Sequence, residues 1–405
     1  MASSGPEYRE NAWWVSPYNF TSEVRSKMEL PHRVEIHDAT LRDGEQTPGV
    51  VLRVEDKVEI ARMLDAVGIE RIEAGMPAVS RDDFQAITEI ARLERRAKIF
   101  AFTRARIEDI DQAIDAGVDG VVIEVPIGKP KLQLQFGWTW REVLDRSLPV
   151  IEHAKKQGLN VVFFPYDTTR ADIDELDQLV DGVMSAIPPD SIGVVDTMGC
   201  ATPEAMKFLV RHVKKRSGLP IEVHTHNDFG MAVATELAGV ESGAEVVHGC
   251  INGLGERTGN AATEELAMAL KVLYGFDVRY DLTMFTKIAE IVSRATNIPI
   301  ADNKPVIGRR NFTRESGIGV DLVLKKPLAM FATAPSLTGR SGDIVLGKKS
   351  GKLSVQYKLD ELGIEGVSDE AVVDIVSHVK ALGIEKRGLV TDEEFSRIVE
   401  KVRSN

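Results

Sequence analysis

Hydrophobic and polar positions alternate along most of this chain with two different periods. From about residue 33 to residue 275, short runs rich in Val, Ile and Phe end in polar or Gly/Pro clusters, and longer amphipathic stretches follow them. Such short runs are typical of buried strands, and stretches with a 3.6-residue period are typical of helices. The predicted strands are Arg33–Asp38, Arg71–Gly75, Lys98–Thr103, Gly120–Val125, Asn160–Phe164, Ser191–Asp196, Ile221–His226 and Val246–Asn252.

Strands that alternate with helices in this way predict an α/β fold of the (β/α)₈ TIM-barrel type, which typically takes about 250 residues. The rival fold is an open, doubly wound sheet. The Gly-x-Gly-x-x-Gly turn that dinucleotide-binding sheets carry after their first strand is missing here. Its absence favours the barrel.

The pattern changes after the eighth predicted strand. Residues 280–300 predict one helix, residues 301–350 are rich in Gly, Pro and basic residues, and three further helices are predicted at Leu353–Leu362, Asp369–Leu382 and Thr391–Val402. Ser368 is predicted to cap the second of these three, because a serine followed by acidic residues favours a helix start. We therefore expect an N-terminal segment (1–30), a TIM-barrel catalytic domain (31–278) and a linker with a small helical C-terminal subdomain (279–405).

Composition and charge argue against several classes of function. Hydrophobic residues make up 43% of the 405 residues, as in ordinary folded domains. No apolar run reaches the ~18 residues of a membrane span, and the N-terminus lacks the regions of a signal peptide. The formal charge of −12 disfavours non-specific nucleic-acid binding. The two cysteines, Cys200 and Cys250, suit a reducing compartment, so we expect a cytoplasmic protein without nucleic-acid or membrane partners.

Candidate chemistry collects where a barrel of this type carries its active site, at the carboxyl ends of the strands. Four polar clusters fall there: His37–Gln46, Asp196–Gly199, His224–Asp228 and Asn252–Asn260. Taken singly, each has an ordinary structural explanation, such as a packed histidine, a surface ion pair or a Gly-rich turn. Taken together, on strands that become neighbours when the barrel closes, they favour a functional site.

The two histidines of the third cluster carry the most specific signal. His224 and His226 are two residues apart, so on a strand they point to the same side. Two imidazoles and a carboxylate from the neighbouring strand-one loop would form a metal site with open coordination positions. A metal there could act as a Lewis acid on a ketone, and Arg42 could stabilise the alkoxide that develops.

These motifs resemble the metal-dependent synthases and lyases that include isopropylmalate, homocitrate and citramalate synthases. The resemblance covers the whole barrel and continues through Asn303–Val320 and Leu346–Gly351. It implies a TIM barrel and an enzyme that condenses an acyl-CoA with a 2-oxo acid by Claisen or aldol chemistry. It also implies a divalent metal cofactor (Mg²⁺, Mn²⁺ or Zn²⁺) and a homodimer.

The resemblance also implies roles for individual residues. The positions that match the family's metal ligands are Asp43, His224, His226 and Asn260. Arg42 matches the arginine that faces the reacting carbonyl oxygen. Thr197 matches a threonine that contacts the carboxylate of the oxo acid, and Gln46 lies in the same pocket.

The proton-transfer half of the expected site departs from the family. The synthases carry a Glu-Asp pair after strand five, where this chain has Tyr166 and Asp167. They carry a Ser and a His after strand four, where this chain has Val125–Gly128. The downstream segment Glu315–Gly319 lacks the catalytic histidine of the family's motif. We therefore expect an altered substrate pocket.

Tyr166 and its neighbours define that pocket. We assign Tyr166 a catalytic role as a hydrogen-bond donor, with the alternative that its ring only fills the space of the missing glutamate. Met76, Phe102 and Phe164 are expected beside it, which suggests an apolar or aromatic substrate.

Other functions remain open at this point. A carbon–carbon lyase or aldolase of the same superfamily and a non-catalytic metal-binding descendant are the main alternatives. A biotin-dependent carboxyltransferase is disfavoured because Val195 stands where those enzymes carry a modified lysine. An iron oxygenase would share the two-histidine, one-carboxylate set, but the barrel context argues against it.

Overall fold

The computed structural model describes residues 8–404, and its parallel strands close into an eight-stranded barrel in sequential order. The strands are β1 (Glu35–Asp38), β2 (Arg71–Glu73), β3 (Lys98–Arg104), β4 (Gly120–Pro126), β5 (Asn160–Tyr166), β6 (Ser191–Asp196), β7 (Ile221–Thr225) and β8 (Val246–Gly249). Pairing between β1 and β8 closes the barrel. The predicted TIM barrel is confirmed.

Helices follow the strands in the order expected for this fold. Up to the end of the barrel they are α1 (Ser22–Arg25), α2 (Val54–Val67), α3 (Arg81–Ala91), α4 (Ile107–Ala116), α5 (Trp140–Lys156), α6 (Ile173–Ala186), α7 (Pro203–Ser217), α8 (Ala232–Val240), α9 (Thr263–Val272) and α10 (Phe285–Thr296). Later in the chain come α11 (Val320–Lys325), α12 (Lys352–Glu361), α13 (Asp369–Lys386) and α14 (Asp392–Arg403), together with the short strands β9 (Thr313–Arg314) and β10 (Asp343–Ile344).

Several predicted elements end at other residues in the structure, and for two of them the backbone shows the reason. The eighth strand was expected to reach Asn252 but stops at Gly249, because the chain turns there and Asn252 adopts a left-handed conformation with φ 64°. The helix expected over 280–300 is shorter. It begins as a 3₁₀ turn at Leu282–Met284 and continues as α10 until Asn297, whose φ of 57° ends it.

The inside of the barrel has an apolar half. Buried side chains from β3 to β6 pack together there: Phe100, Phe102, Val122, Val162, Phe164 and Val195. Both faces of parallel strands in such a barrel are covered, which explains why these strands are nearly continuous apolar runs in the sequence.

The described chain divides into two compact units. The first contains Pro17–Ile300 and the second contains residues 8–16 together with the chain from Ala301 onward. Within the second unit, the backbone N–H of Trp14 donates to the carbonyl oxygen of Ala332 at 2.8 Å, and the N–H of Ala334 donates to that of Ala12 at 2.7 Å. Residues 8–16 are therefore part of the C-terminal unit, and residues 17–30 belong to the barrel unit.

The helices α12 to α14 of the second unit share an apolar core. Its fully buried members include Val355, Ile375, Val379 and Phe395. The predicted cap of α13 is present, because the side chain of Ser368 accepts a hydrogen bond from a backbone N–H of the first turn. None of the helices within residues 8–404 combines the length and apolarity needed to cross a bilayer.

Candidate active site

Asp43 and two histidines form a tight cluster at the carboxyl end of the barrel. Asp43 follows β1, His224 lies on β7 and His226 lies one residue beyond the end of β7. The Nε2 atoms of His224 and His226 are 3.2 Å and 3.5 Å from Oδ2 of Asp43. All three side chains are buried. The spacing of two residues therefore brings both rings to one carboxylate.

The unsatisfied atoms of this cluster suit a divalent cation. Oδ1 of Asp43, Nδ1 of both histidines and Oδ1 of Asn260 are buried and have no hydrogen-bond partner among residues 8–404. Asn260 forms a β-bridge with His226 and donates its amide N–H to Leu254 at 3.0 Å, which leaves its oxygen free. Carboxylate, imidazole and amide donors are those that bind Mg²⁺, Mn²⁺ or Zn²⁺. The residues present therefore fit the expected metal.

Burial and neighbouring charges set the protonation of this cluster. Burial alone would raise the pKa of Asp43, but Arg42, His224 and His226 hold that pKa well below its usual range. Burial lowers the pKa of His226 to about 4, although the charge of Asp43 opposes the shift. Asp43 is therefore anionic and His226 neutral at neutral pH, which are the forms that bind metals.

Glycines allow the loops of the site to approach one another closely. Gly199, after β6, has φ 53°, and a Cβ there would lie 2.5 Å from the carbonyl oxygen of His226. Gly259, after β8, has φ 86°, and a Cβ there would lie 1.9 Å from the carbonyl oxygen of Gly253. Only glycine fits such positions without strain. These glycines let the two loops fold tightly beside His226 and Asn260.

Arg42 is fixed by several neighbours but keeps one donor free. Its Nε donates to Glu73, and its Nη1 lies 3.4 Å from the carboxylate of Asp43 and 3.4 Å from Oε1 of Gln46. The guanidinium carbon lies 4.0 Å from the centre of the Phe102 ring. Nη2 is buried and lacks a hydrogen-bond partner in the described chain. Such a donor suits a negative charge that develops on a substrate oxygen.

A buried layer of ion pairs lies under Arg42. Glu73 also accepts from Nε2 of His37 at 2.9 Å, and Glu222 accepts from His248 at 2.9 Å and from Arg71 at 2.7 Å. The rings of His37 and His248 stack with their centres 4.3 Å apart. His37, Glu73 and His248 could by themselves group around an ion. Because the Nε2 atoms are already paired with carboxylates, we interpret this layer as structural support.

Thr197 and Asp167 are linked at the ends of β6 and β5. The backbone N–H of Asp167 donates to Oγ1 of Thr197 at 2.7 Å, so the hydroxyl hydrogen of Thr197 remains available to a substrate. The carboxylate of Asp167 accepts two hydrogen bonds from Arg170 at 2.7–2.8 Å. A Cβ on Gly128 would lie 2.1 Å from this carboxylate. Gly128 therefore leaves space for the ion pair, in which both carboxylate oxygens of Asp167 are bound to Arg170.

Tyr166 is half-buried at the end of β5, packed against the apolar half of the barrel. Burial raises the pKa of its phenol above the ordinary value, and the charges of Glu124 and Asp167 raise it further. The phenol therefore stays protonated at neutral pH. Tyr166 can donate a hydrogen bond but cannot act as the base.

Glu124 was not predicted from the sequence. It lies on β4, a strand that is otherwise apolar, and burial raises its pKa to about 7, with Arg42 opposing the shift. The sequence did contain a signal for Glu124, because a single acidic residue is unusual within a buried parallel strand. Glu73, which fixes Arg42, was also not predicted; it follows an apolar residue in a short strand with no distinctive spacing.

The chain is similar in sequence and in fold to several known proteins. The model of the HMGL-like family matches residues 33–292, and the model of a homocitrate synthase post-HMGL domain matches residues 306–387. A homocitrate synthase of Methanothermobacter thermautotrophicus is 40% identical over 391 residues, covering 96% of this chain and 98% of the relative. A 2-isopropylmalate synthase of Methanocaldococcus jannaschii is 42% identical, covering 93% and 73%. The structure of Bacillus subtilis HMG-CoA lyase has a TM-score of 0.60 at 20% identity, covering 67% and 97%, which shows likeness of fold.

The metal cluster generates a direct prediction. We expect His224→Ala and His226→Ala each to lose most of the bound divalent metal and of the activity, because each removes one imidazole ligand. The circular dichroism spectrum should be retained, since both residues lie at the mouth of the barrel and not in its apolar core. Metal content by mass spectrometry is the measurement. A variant at a surface histidine, His153→Ala, is the matched control. Wild-type metal content in both site variants would contradict the assignment.

Proposed function

This chain belongs to the HMGL-like family, and we propose that it is an acyltransferase that condenses an acyl-CoA with a 2-oxo acid. The new carbon–carbon bond would form at the ketone carbon, and hydrolysis of the thioester would release free coenzyme A. The observation that carries the proposal is the buried set of Asp43, His224 and His226 beside Arg42, whose Nη2 has no partner in the described chain. The synthase names of relatives at about 40% identity over nearly the whole chain point the same way.

Asp43, His224, His226 and Asn260 are the residues that would hold the divalent metal. A cation bound there would supply Lewis-acid polarisation of a substrate carbonyl. The negative charge of Asp43 and the neutral imidazole of His226 suit a site for Mg²⁺, Mn²⁺ or Zn²⁺.

The chain's own residues bind and orient the 2-oxo acid. Nη2 of Arg42 is the donor available to the oxygen on which charge develops, and its fixed position means that little reorganisation is needed during the reaction. The free hydroxyl hydrogen of Thr197 suits the substrate carboxylate. Gln46, which is exposed and lies within reach of Arg42, would contact the same part of the substrate.

The pocket wall favours an apolar or aromatic group on the substrate. Met76 and Tyr166 pack against the cluster that contains Phe102 and Phe164, and a pocket lined by such side chains binds apolar groups through the hydrophobic effect. Tyr166 takes the place where a carboxylate would otherwise face the substrate. This composition supports an altered substrate pocket.

The reaction itself can be tested directly. We expect the metal-loaded protein to release free thiol when an acyl-CoA and a suitable 2-oxo acid are both present, because condensation and thioester hydrolysis consume both. A panel of 2-oxo acids with aliphatic and aromatic side chains, read with a thiol reagent, is the measurement. Thiol release from acyl-CoA alone must be subtracted. Cleavage of 2-hydroxy acids without net condensation would indicate a lyase instead, and a metal-bound protein inert towards both substrate sets would indicate a non-catalytic descendant.

A second prediction concerns Tyr166. Tyr166→Phe keeps the ring and removes the hydroxyl, so we expect kcat to fall about 10-fold, which corresponds to ~1.4 kcal/mol. KM for the 2-oxo acid should change less, because the ring that shapes the pocket remains. Steady-state kinetics of this variant and of Tyr166→Ala decide the question. Unchanged kinetics in Tyr166→Phe, with a changed substrate range in Tyr166→Ala, would mean that the residue only shapes the pocket.

The proposal includes a cytoplasmic homodimer. Support comes from an exposed aromatic side chain in each unit, Trp14 in the second (46% exposed) and Tyr18 in the first (73% exposed), since large exposed apolar groups often mark association surfaces. We expect light scattering at micromolar concentration to give twice the mass of the 44.5 kDa chain. A monodisperse monomer would refute the dimer without affecting the proposed reaction.

A further inference from the structure

One carboxylate at the barrel mouth has no hydrogen-bond or ion-pair partner within residues 8–404. Glu124 lies on β4, in register with Arg104 of β3 and Phe164 of β5. Val122, two residues earlier, belongs to the interior cluster with Phe102 and Phe164, so Glu124 faces the interior too, one layer nearer the mouth. Throughout residues 8–404, no side chain or backbone group forms a hydrogen bond or ion pair with its carboxylate.

Charged groups from several elements face this carboxylate. They are Arg42 and Asp43 after β1, Glu73 on β2 and Glu256 after β8, together with the phenol of Tyr166 on β5. Burial has the largest effect and raises the pKa of Glu124 to about 7; Arg42 opposes it, and the acidic neighbours add to it. A carboxyl group with this pKa accepts and returns protons readily near neutral pH.

Other acid–base groups at the mouth are engaged elsewhere. Asp167 is held by Arg170, and Asp196 accepts hydrogen bonds from the Thr169 hydroxyl and from backbone N–H groups of its own loop. The Tyr166 phenol stays protonated, as described above. Asp43 and the two histidines are the proposed metal ligands. Glu124 is left as the carboxylate with no assigned partner.

A purely structural role does not explain Glu124. Even partial burial of a carboxylate without a hydrogen bond or ion pair costs free energy, and an apolar residue at this position would continue the packing of Val122, Phe102 and Phe164. The interior carboxylates Glu73 and Glu222, by contrast, are each paired with an arginine and a histidine. Unpaired ionisable groups in such places are typical of functional sites.

We propose that Glu124 is the general base that removes the α-proton of the acyl-CoA. The proposal rests on the proposed condensation and deepens it by assigning the proton-transfer step. Glu124 is one strand away from Tyr166, because Pro126 of β4 pairs with Tyr166 of β5. The base would thus come from β4, while β5 contributes an aromatic wall.

The reaction balances with water as the one further reactant. The α C–H bond of the acyl group breaks, its proton bonds to a carboxylate oxygen of Glu124, and the electron pair moves into the enolate of the thioester. The enolate carbon then attacks the ketone carbon of the 2-oxo acid, and Arg42 stabilises the alkoxide that forms. Glu124 returns its proton to that alkoxide, and water hydrolyses the thioester to release the thiol.

Isotope exchange separates this role from a structural one. The wild-type protein, loaded with metal and given the acyl-CoA and the 2-oxo acid in D₂O, should wash deuterium into the α-position of recovered acyl-CoA. We expect Glu124→Gln to lower both this exchange and kcat by about 10²–10⁴-fold, the range for loss of a general base. Metal content and affinity for the 2-oxo acid should stay within a few-fold of wild type. Asp145→Asn, an exposed carboxylate on α5, is the control for neutralising one charge.

A second variant keeps the test decisive if Glu124→Gln folds poorly. Glu124→Asp keeps the charge but withdraws it by one methylene, so the proton transfer should become slower. We expect reduced exchange and a larger kinetic isotope effect with α-deuterated acyl-CoA, with metal content retained. Wild-type exchange in a folded Glu124→Gln or Glu124→Asp would overturn the role of Glu124.

The two proposals fail in different ways. If wild type condenses the substrates and both Glu124 variants exchange normally, the condensing function stands and the base lies elsewhere. If wild type shows neither condensation nor exchange with any substrate pair, the proposed function is wrong and the role of Glu124 falls with it.

Discussion

The ion pair between Arg42 and Glu73 is the interaction on which the candidate site depends. A guanidinium inside a barrel must be compensated by carboxylates, because the cost of removing the charges from water is recovered only through pairing. Glu73 provides the first and Asp43 the second. Each of them is in turn tied to histidines, so the same charges that keep Arg42 in place also orient the rings of His37 and His224.

The barrel interior is consequently divided by chemistry. The strands β7, β8, β1 and β2 carry the paired charges, and β3 to β6 carry the aromatic and aliphatic side chains. The site lies where these halves meet, so that polar groups act in surroundings with little water, where electrostatic interactions are stronger. A substrate with a polar reacting end and an apolar remainder matches this division. Glu124 places a carboxylate on the apolar side, between Phe102 and Phe164 of the neighbouring strands.

Much of this arrangement could be predicted from the sequence, and the reasons are local. Strand order followed from alternating patterns, the cap at Ser368 from residue type, and the convergence of His224 and His226 from their spacing. The end of β8 could not be predicted, because the left-handed conformation of Asn252 depends on the loop around it. Glu124 was missed for a related reason: its significance depends on which residues surround it in the closed barrel, and those come from four other strands or loops, namely β2, β5 and the loops after β1 and β8.

The same limit applies to Asp167, which a motif alone would present as a catalytic acid. Arg170 pairs with it from three residues later in the same loop, and the space that Gly128 leaves for this pair appears only when β4 and β5 are placed side by side. The sequence pattern of a single element shows which polar groups a site contains. Tertiary packing decides which of those groups already have a hydrogen-bond or ion-pair partner.

The backbone pairing of Trp14 with Ala332 has a consequence for synthesis of the chain. Ribosomes deliver the N-terminus first, and domains generally fold as units while they emerge. Residues 8–16 leave the ribosome before the barrel but belong to a unit whose remaining part follows it. The contact between Trp14 and Ala332 therefore forms only after the entire barrel has been translated. While the barrel is being translated, the aromatic side chains of residues 8–16 lack the packing that they have in the folded protein.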